Sequence, residues 1–131
     1  MDFTRTAENS LNAALNYGYS ILLSAFNREI AVCGYLTQLG LFHDNMFNPY
    51  NLASDLMEIF RPIVDKVVVD MKPEQFEHCE KMEVLKFLQY EVVIAGRKEM
   101  VSNAIKIYCH SVFDAINDMD TSLIKFYRNE L

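Results

Sequence analysis

Apolar side chains at Leu11, Ala14, Leu15, Gly18, Leu22, Ala25, Phe26 and Ile30 recur every three or four positions, with Leu23 and Val32 widening the stripe. That period predicts a helix, capped by Asn9 or Ser10 and stopped by Gly34. About 24 residues at ~1.5 Å each give it a length of roughly 36 Å, enough to cross a small domain. Tyr35 to Tyr50 then reads as a connector, punctuated by Gly, Asn and Pro. It is rich in apolar and aromatic residues, so part of it is expected to be buried, and a connector this long tends to be functional.

A second helix is expected from Asn51 or Leu52 to Met71, with Asn51 as a cap and Leu52, Leu56, Ile59, Phe60, Ile63, Val67 and Val68 as its apolar face. Pro62 lies inside it, removes the bond to the Glu58 carbonyl and should kink the helix there. Pro73 is expected to open a third helix, with Glu74 and Glu77 in its first turn and a stripe of Phe76, Cys79, Met82, Leu85 and Leu88. Glu91 to Lys98 breaks the helical pattern and reads as a short extended segment turning at Ala95-Gly96. Ser102 or Asn103 should cap a fourth helix that buries Ile105, Tyr108, Cys109, Val112 and Ile116, and Asp120 or Thr121 a short last one to Leu131. The expected fold is all-α: a single helical domain of about four to six helices with one short extended or hairpin segment near 91–99.

Composition narrows the picture further. A length of 131 residues suits one domain, and four Gly and three Pro are too few for a turn-rich sandwich or barrel. Three widely spaced cysteines, Cys33, Cys79 and Cys109, make no disulfide framework and fit a reducing compartment. The opening Met1-Asp2-Phe3-Thr4-Arg5 does not read as a signal peptide. The uncharged stretch from Asn9 to Asn27 holds four Asn and reads as a buried helix, so no membrane span is expected. Net charge is −6 and neither half is basic, which by composition alone argues against nucleic-acid binding.

Candidate chemistry lies around the second helix. Asp55 and Glu58 are three apart, so both carboxylates share a face, and His43 on the preceding connector can fold back toward them. One imidazole and one or two carboxylates suit Mn²⁺ or Mg²⁺, which favour oxygen ligands and keep water positions open. The same residues also read as helix capping and surface charge, the commoner arrangement. Arg61 could pair with Glu58 or Asp65, or reach a phosphate. His78-Cys79 and Cys109-His110 lack the spacing of zinc sites, and Cys79 and Cys109 read as core residues. Tyr17 and Tyr19 read as packing residues.

Three stretches carry a family resemblance: Asn12-Ala13-Ala14-Leu15-Asn16-Tyr17-Gly18-Tyr19, then Gly34-Tyr35-Leu36-Thr37-Gln38-Leu39-Gly40-Leu41-Phe42-His43-Asp44-Asn45, then Asn51 to Asp65 with the core Asp55-Leu56-Met57-Glu58-Ile59-Phe60-Arg61-Pro62. Asn103-Ala104-Ile105 with Tyr108 agrees with a later signature. Together they resemble the C-terminal helical domain of the CRISPR-associated integrase/endonuclease that acquires new spacers, the first-numbered Cas protein, most closely its type II variety.

The resemblance implies a metal-dependent DNA nuclease and integrase, with Mg²⁺ or Mn²⁺ held by a Glu, a His and a later acidic residue. The His matches His43 and the later acidic ligand matches Glu58. Asp55 and Asn45 become candidates for orienting those ligands, and Arg61 for contacting phosphate. Implied partners are DNA (protospacer and CRISPR repeat), a second copy as a homodimer, the small second-numbered Cas protein and the type II effector nuclease, in a prokaryotic cytoplasm. Ile59 stands where the family often has Pro. The family's first ligand Glu, on a helix ahead of Asn-Tyr-Gly-Tyr, and its β-rich N-terminal domain have no match in this sequence; Glu8 and Glu29 do not sit in the motif. The expectation is therefore a truncated C-terminal catalytic domain over residues 1–131, one ligand short and inactive alone. The competing expectation is a non-catalytic helical interaction module that docks partners through the aromatics of residues 35–50.

Overall fold

A computed structural model describes residues 2–36 and 49–129, with side chains over 8–33 and 52–129. The fold is mostly helical with one small antiparallel hairpin, as the sequence pattern implies. Helix α1, Asp2–Leu36, is the central element. Ser10, Ala14, Gly18, Leu22, Phe26, Ile30 and Cys33 are buried along it at spacings of three and four, while Val32 is exposed. The helix begins well before the expected Asn9 or Ser10 cap and runs through Gly34. Packing of one continuous stripe against the rest of the molecule outweighs these local cap preferences.

Helix α2, Pro49–Leu56, starts before Asn51, so Asn51 is no cap. The expected single kinked helix is three pieces: α2, a 3₁₀ turn Met57–Phe60, and α3, Arg61–Met71. Pro62 falls in the first turn of α3, where its missing N–H costs nothing. Lys72 then closes α3 with a left-handed backbone (φ 50°), its N–H donating to the Val68 and Val69 carbonyls. Pro73 follows that stop and opens no helix; α4 is His78–Val84, where Glu80 accepts the Glu77 backbone N–H at 3.0 Å. The shift in register leaves Cys79 and Met82 exposed, which corrects their placement in the core.

A 3₁₀ turn, Leu85–Gln89, leads into β1, Glu91–Ile94, and β2, Arg97–Met100, paired antiparallel with Glu91 opposite Met100 and Ile94 opposite Arg97. Ala95 (φ 55°) and Gly96 (φ 79°) make the two-residue link, the backbone sign that tight hairpins require. Helix α5, Val101–Asp118, begins one or two residues ahead of the expected Ser102 or Asn103 cap, and buries Ile105, Tyr108, Cys109 and Val112. The last helical element among the described residues is a single 3₁₀ turn, Thr121–Leu123, capped by Asp120, where a longer last helix is expected from the sequence; residues 124–129 are not helical. Beyond it the tail crosses back over the fold, where Arg128 and Val93 exchange backbone hydrogen bonds of 2.7 Å. No helix among the described residues is long and apolar enough to cross a membrane.

The core is an aromatic junction. Phe26 of α1, Phe60 of the 3₁₀ turn and Tyr108 of α5 meet with ring centroids 5.6–6.3 Å apart. Gly18 lets α1 approach α3: a Cβ there would lie 2.5 Å from Val64 Cγ1 and 3.3 Å from Val84 Cγ1. Val64 is fully buried and β-branched, so it has little room to turn away. Overpacking of about 1–3 kcal/mol therefore outweighs the ~1 kcal/mol helix gain of alanine over glycine. Gly18→Ala is expected to lower stability by about 1 kcal/mol, and adding Val64→Ala should recover part of that loss. Urea unfolding of the two single variants and the double variant tests this; strictly additive changes would show that the contact is not tight.

Candidate functional site

Glu58 owes its position to Pro62. In a continuous helix the Glu58 carbonyl would accept from the residue four ahead, but proline has no N–H to give. The carbonyl instead accepts the Arg61 N–H, three residues on, and the backbone tightens into the 3₁₀ turn. Met57 and Phe60 are buried and anchor that turn, which leaves Glu58 facing out with its side chain 57% exposed. Asp55, three residues earlier, is exposed as well and lies on the same side of the chain.

Arg61 Nη1 lies 3.4 Å from a Glu58 carboxylate oxygen, so of the two expected pairings the structure has the one with Glu58. Its guanidinium also rests over the ring of Tyr19, 4.4 Å from the centroid. Tyr19 in turn donates its hydroxyl to Asp65 Oδ1 on α3. Burial, followed by the hydrogen bond to Asp65 and its charge, pushes the Tyr19 hydroxyl up to about 12. The phenol thus remains a donor throughout the ordinary pH range. The result is a line of four side chains, Glu58–Arg61–Tyr19–Asp65, joining α1 to α3 across the turn. Arg61 Nε is buried without an acceptor among the described residues.

The sequence pattern marked Glu58, Asp55 and Arg61 but read Tyr19 as packing only. Tyr17 does pack, edge-on to Phe76 at 5.6 Å. Tyr19 reaches Asp65 across 46 positions, where Gly18 beside it lets α1 lie close to α3, and no local signal in the sequence marks that contact. His43 and Asn45 lie outside the described residues, as do the other connector residues 37–48.

Among the described residues no three His, Cys, Asp or Glu side chains converge as a metal cluster. What is present suits a hard cation in kind: Glu58 offers carboxylate oxygens open to solvent, the donor type Mg²⁺ and Mn²⁺ prefer. The thiols are poor rivals at the core. Burial, and then Glu29 and Asp114, push Cys33 up to about 11, and burial drives Cys109 upward as well.

Fold and turn together define a helical domain that presents one exposed carboxylate beside a guanidinium held on an aromatic ring. Residues 3–102 match the family described as CRISPR associated protein Cas1, and the chain belongs to that family. A CRISPR-associated endonuclease Cas1 of Neisseria meningitidis serogroup C is 34% identical over 128 residues, covering 94% of this chain and 42% of the relative. A CRISPR-associated endonuclease Cas1 from Archaeoglobus fulgidus is 40% identical over 84 residues, covering 59% of this chain and 24% of the relative. Another, from Francisella tularensis subsp. novicida, is 30% identical over 108 residues, covering 79% and 33%. The chain thus spans less than half the length of these relatives.

Proposed function

We propose that this chain is the helical catalytic domain of a CRISPR spacer-acquisition enzyme, a metal-dependent DNA endonuclease and integrase. The observation that carries the reading is the coincidence of the Cas1 match over residues 3–102 with Glu58, which the Pro62-induced turn holds exposed beside Arg61. His43 and Glu58 are the proposed ligands of Mg²⁺ or Mn²⁺, and Asp55 and Asn45 the residues that orient them. Bound, the ion stabilises charge on the phosphate oxygens of the strand under attack.

The reaction proposed is transesterification. A DNA 3′-hydroxyl forms a new bond to phosphorus in the repeat while the bond to the departing 3′-oxygen breaks. The proton given up by the attacking hydroxyl is balanced by one taken up on the departing oxygen, so one phosphodiester replaces another. Glu58 contributes negative charge and oxygen donors at the site. Arg61, its guanidinium resting over the Tyr19 ring and its side chain partly exposed, is the proposed contact to a phosphate oxygen. The proposed partners are protospacer and repeat DNA, a second copy of the chain, the small second-numbered Cas protein and, in a type II system, the effector nuclease.

The test is Mn²⁺-dependent cleavage and strand transfer on a branched DNA. The 131-residue chain is assayed alone and fused to the portion of the Neisseria relative that the alignment does not cover. Activity of the fusion alone, lost in His43→Ala, is the expected result. Full activity of the unfused chain would mean that a third ligand also lies within it, which contradicts the expectation that the chain is one ligand short and inactive alone. A fusion that docks DNA or protein but never cuts, whatever the metal, would favour a non-catalytic helical module.

A further inference from the structure

The chain's last described residues touch the same turn that carries Glu58. Tyr127 Oη donates to the backbone carbonyl of Ile59, the residue after Glu58, at 2.5 Å. Its ring stacks on Phe60, the next residue again, with centroids 4.8 Å apart and planes 29° apart. The tail itself is pinned on both sides of Tyr127. Ser111 Oγ accepts the Lys125 N–H at 2.9 Å, and Arg128 exchanges two backbone hydrogen bonds with Val93 at 2.7 Å each.

We infer that Tyr127 is a positioning residue, through which the C-terminal strap fixes the 3₁₀ turn and thereby the Glu58 carboxylate for metal binding. The inference rests on the reading of Glu58 as a ligand. A four-residue 3₁₀ turn has poor intrinsic hydrogen-bond geometry, so an outside donor on one of its carbonyls and a ring on its buried face limit how far it can flex. Arg61, the residue after the turn, pairs with Glu58 itself and rests over the Tyr19 ring. The strap lies beyond residues 3–102, the stretch that matches the family description.

The test is Mn²⁺ titration of the full chain followed by paramagnetic broadening of backbone NMR signals, which detects binding in the millimolar range. In the unsubstituted chain, broadening should centre on Met57–Arg61. Tyr127→Phe keeps the ring and removes the donor; it should need roughly tenfold more Mn²⁺ for equal broadening, the low end of the effect for a residue that orients a ligand. Ile105→Val, a core change on α5 outside both the 3₁₀ turn and the strap, should leave the Mn²⁺ requirement unchanged, which separates positioning from general loss of stability. Glu58→Gln should remove the local broadening. If Glu58→Gln leaves it intact, or the unsubstituted chain shows none, the reading of Glu58 fails and the inference with it. If Glu58→Gln removes it but Tyr127→Phe matches the unsubstituted chain, only the inference is overturned.

Discussion

Replacing Phe60 by alanine is expected to cost about 3–5 kcal/mol, a large share of the roughly 5–15 kcal/mol that holds a domain together. Phe60 is fully buried, and three separate parts of the chain meet on its ring. Phe26 of α1 lies 5.6 Å away, Tyr108 of α5 5.9 Å, and Tyr127 of the tail 4.8 Å. These neighbours belong to different elements, so they cannot all collapse into the vacated space, and part of the lost volume remains as a cavity. Phe60→Leu keeps most of the volume and should cost about 1–1.5 kcal/mol. Urea unfolding measures both; a lower midpoint at unchanged slope gives the stability loss. An alanine cost below about 1.5 kcal/mol, the range of volume-conserving swaps, would show that the ring is not the junction of the three elements.

The position of Phe60 illustrates what the sequence discloses and what it hides. Its membership of an apolar face follows from the three-to-four spacing, as does the long buried stripe of α1. The effect of Pro62 also follows from local chemistry, since a residue without an N–H cannot bond to the Glu58 carbonyl. Its outcome is a 3₁₀ turn and a fresh helix start, where a kink is the other solution. Pro73 shows the ambiguity of proline: it suits both the first turn of a helix and the position after a helix end. Left-handed Lys72 decides for the end, and a lysine in that conformation leaves no mark in the sequence. Ala95-Gly96 is readable as a hairpin because the turn needs positive φ, whereas the burial of all three of Val92, Val93 and Ile94 depends on how α5 and the tail pack on the strand.

The same division runs through the candidate site. Glu58, Asp55 and Arg61 share a few turns of backbone, so their spacing reveals them. Tyr19 meets Asp65 across 46 positions and Tyr127 meets Ile59 across 68, and no local pattern encodes such contacts. In this reading the proposed ligands and the acidic neighbour Asp55 are visible in sequence, while the contacts of Tyr19 and Tyr127 become visible only in the fold.

Glu58→Gln is the change for which activity and stability should part most widely. The Glu58–Arg61 pair is exposed on both sides, 57% and 42%, and pairs of that kind contribute about 0–1 kcal/mol. Glutamine keeps the length and shape and still accepts hydrogen bonds, so the unfolding free energy should change by no more than about 0.5 kcal/mol. Its amide carries no charge, however, and binds a hard divalent cation far less well than a carboxylate does. If the ion contributes several kcal/mol to the transition state, Mn²⁺-dependent strand transfer by the fused protein should fall at least roughly a hundredfold. Asp55→Asn, which alters a residue proposed to act through Glu58, should cost about ten- to a hundredfold. Parallel strand-transfer assays and urea unfolding decide the matter. A Glu58→Gln protein that folds like the parent and still joins DNA at near-parental rate would remove Glu58 from the site, and would leave the exposed carboxylate as nothing more than the partner of Arg61.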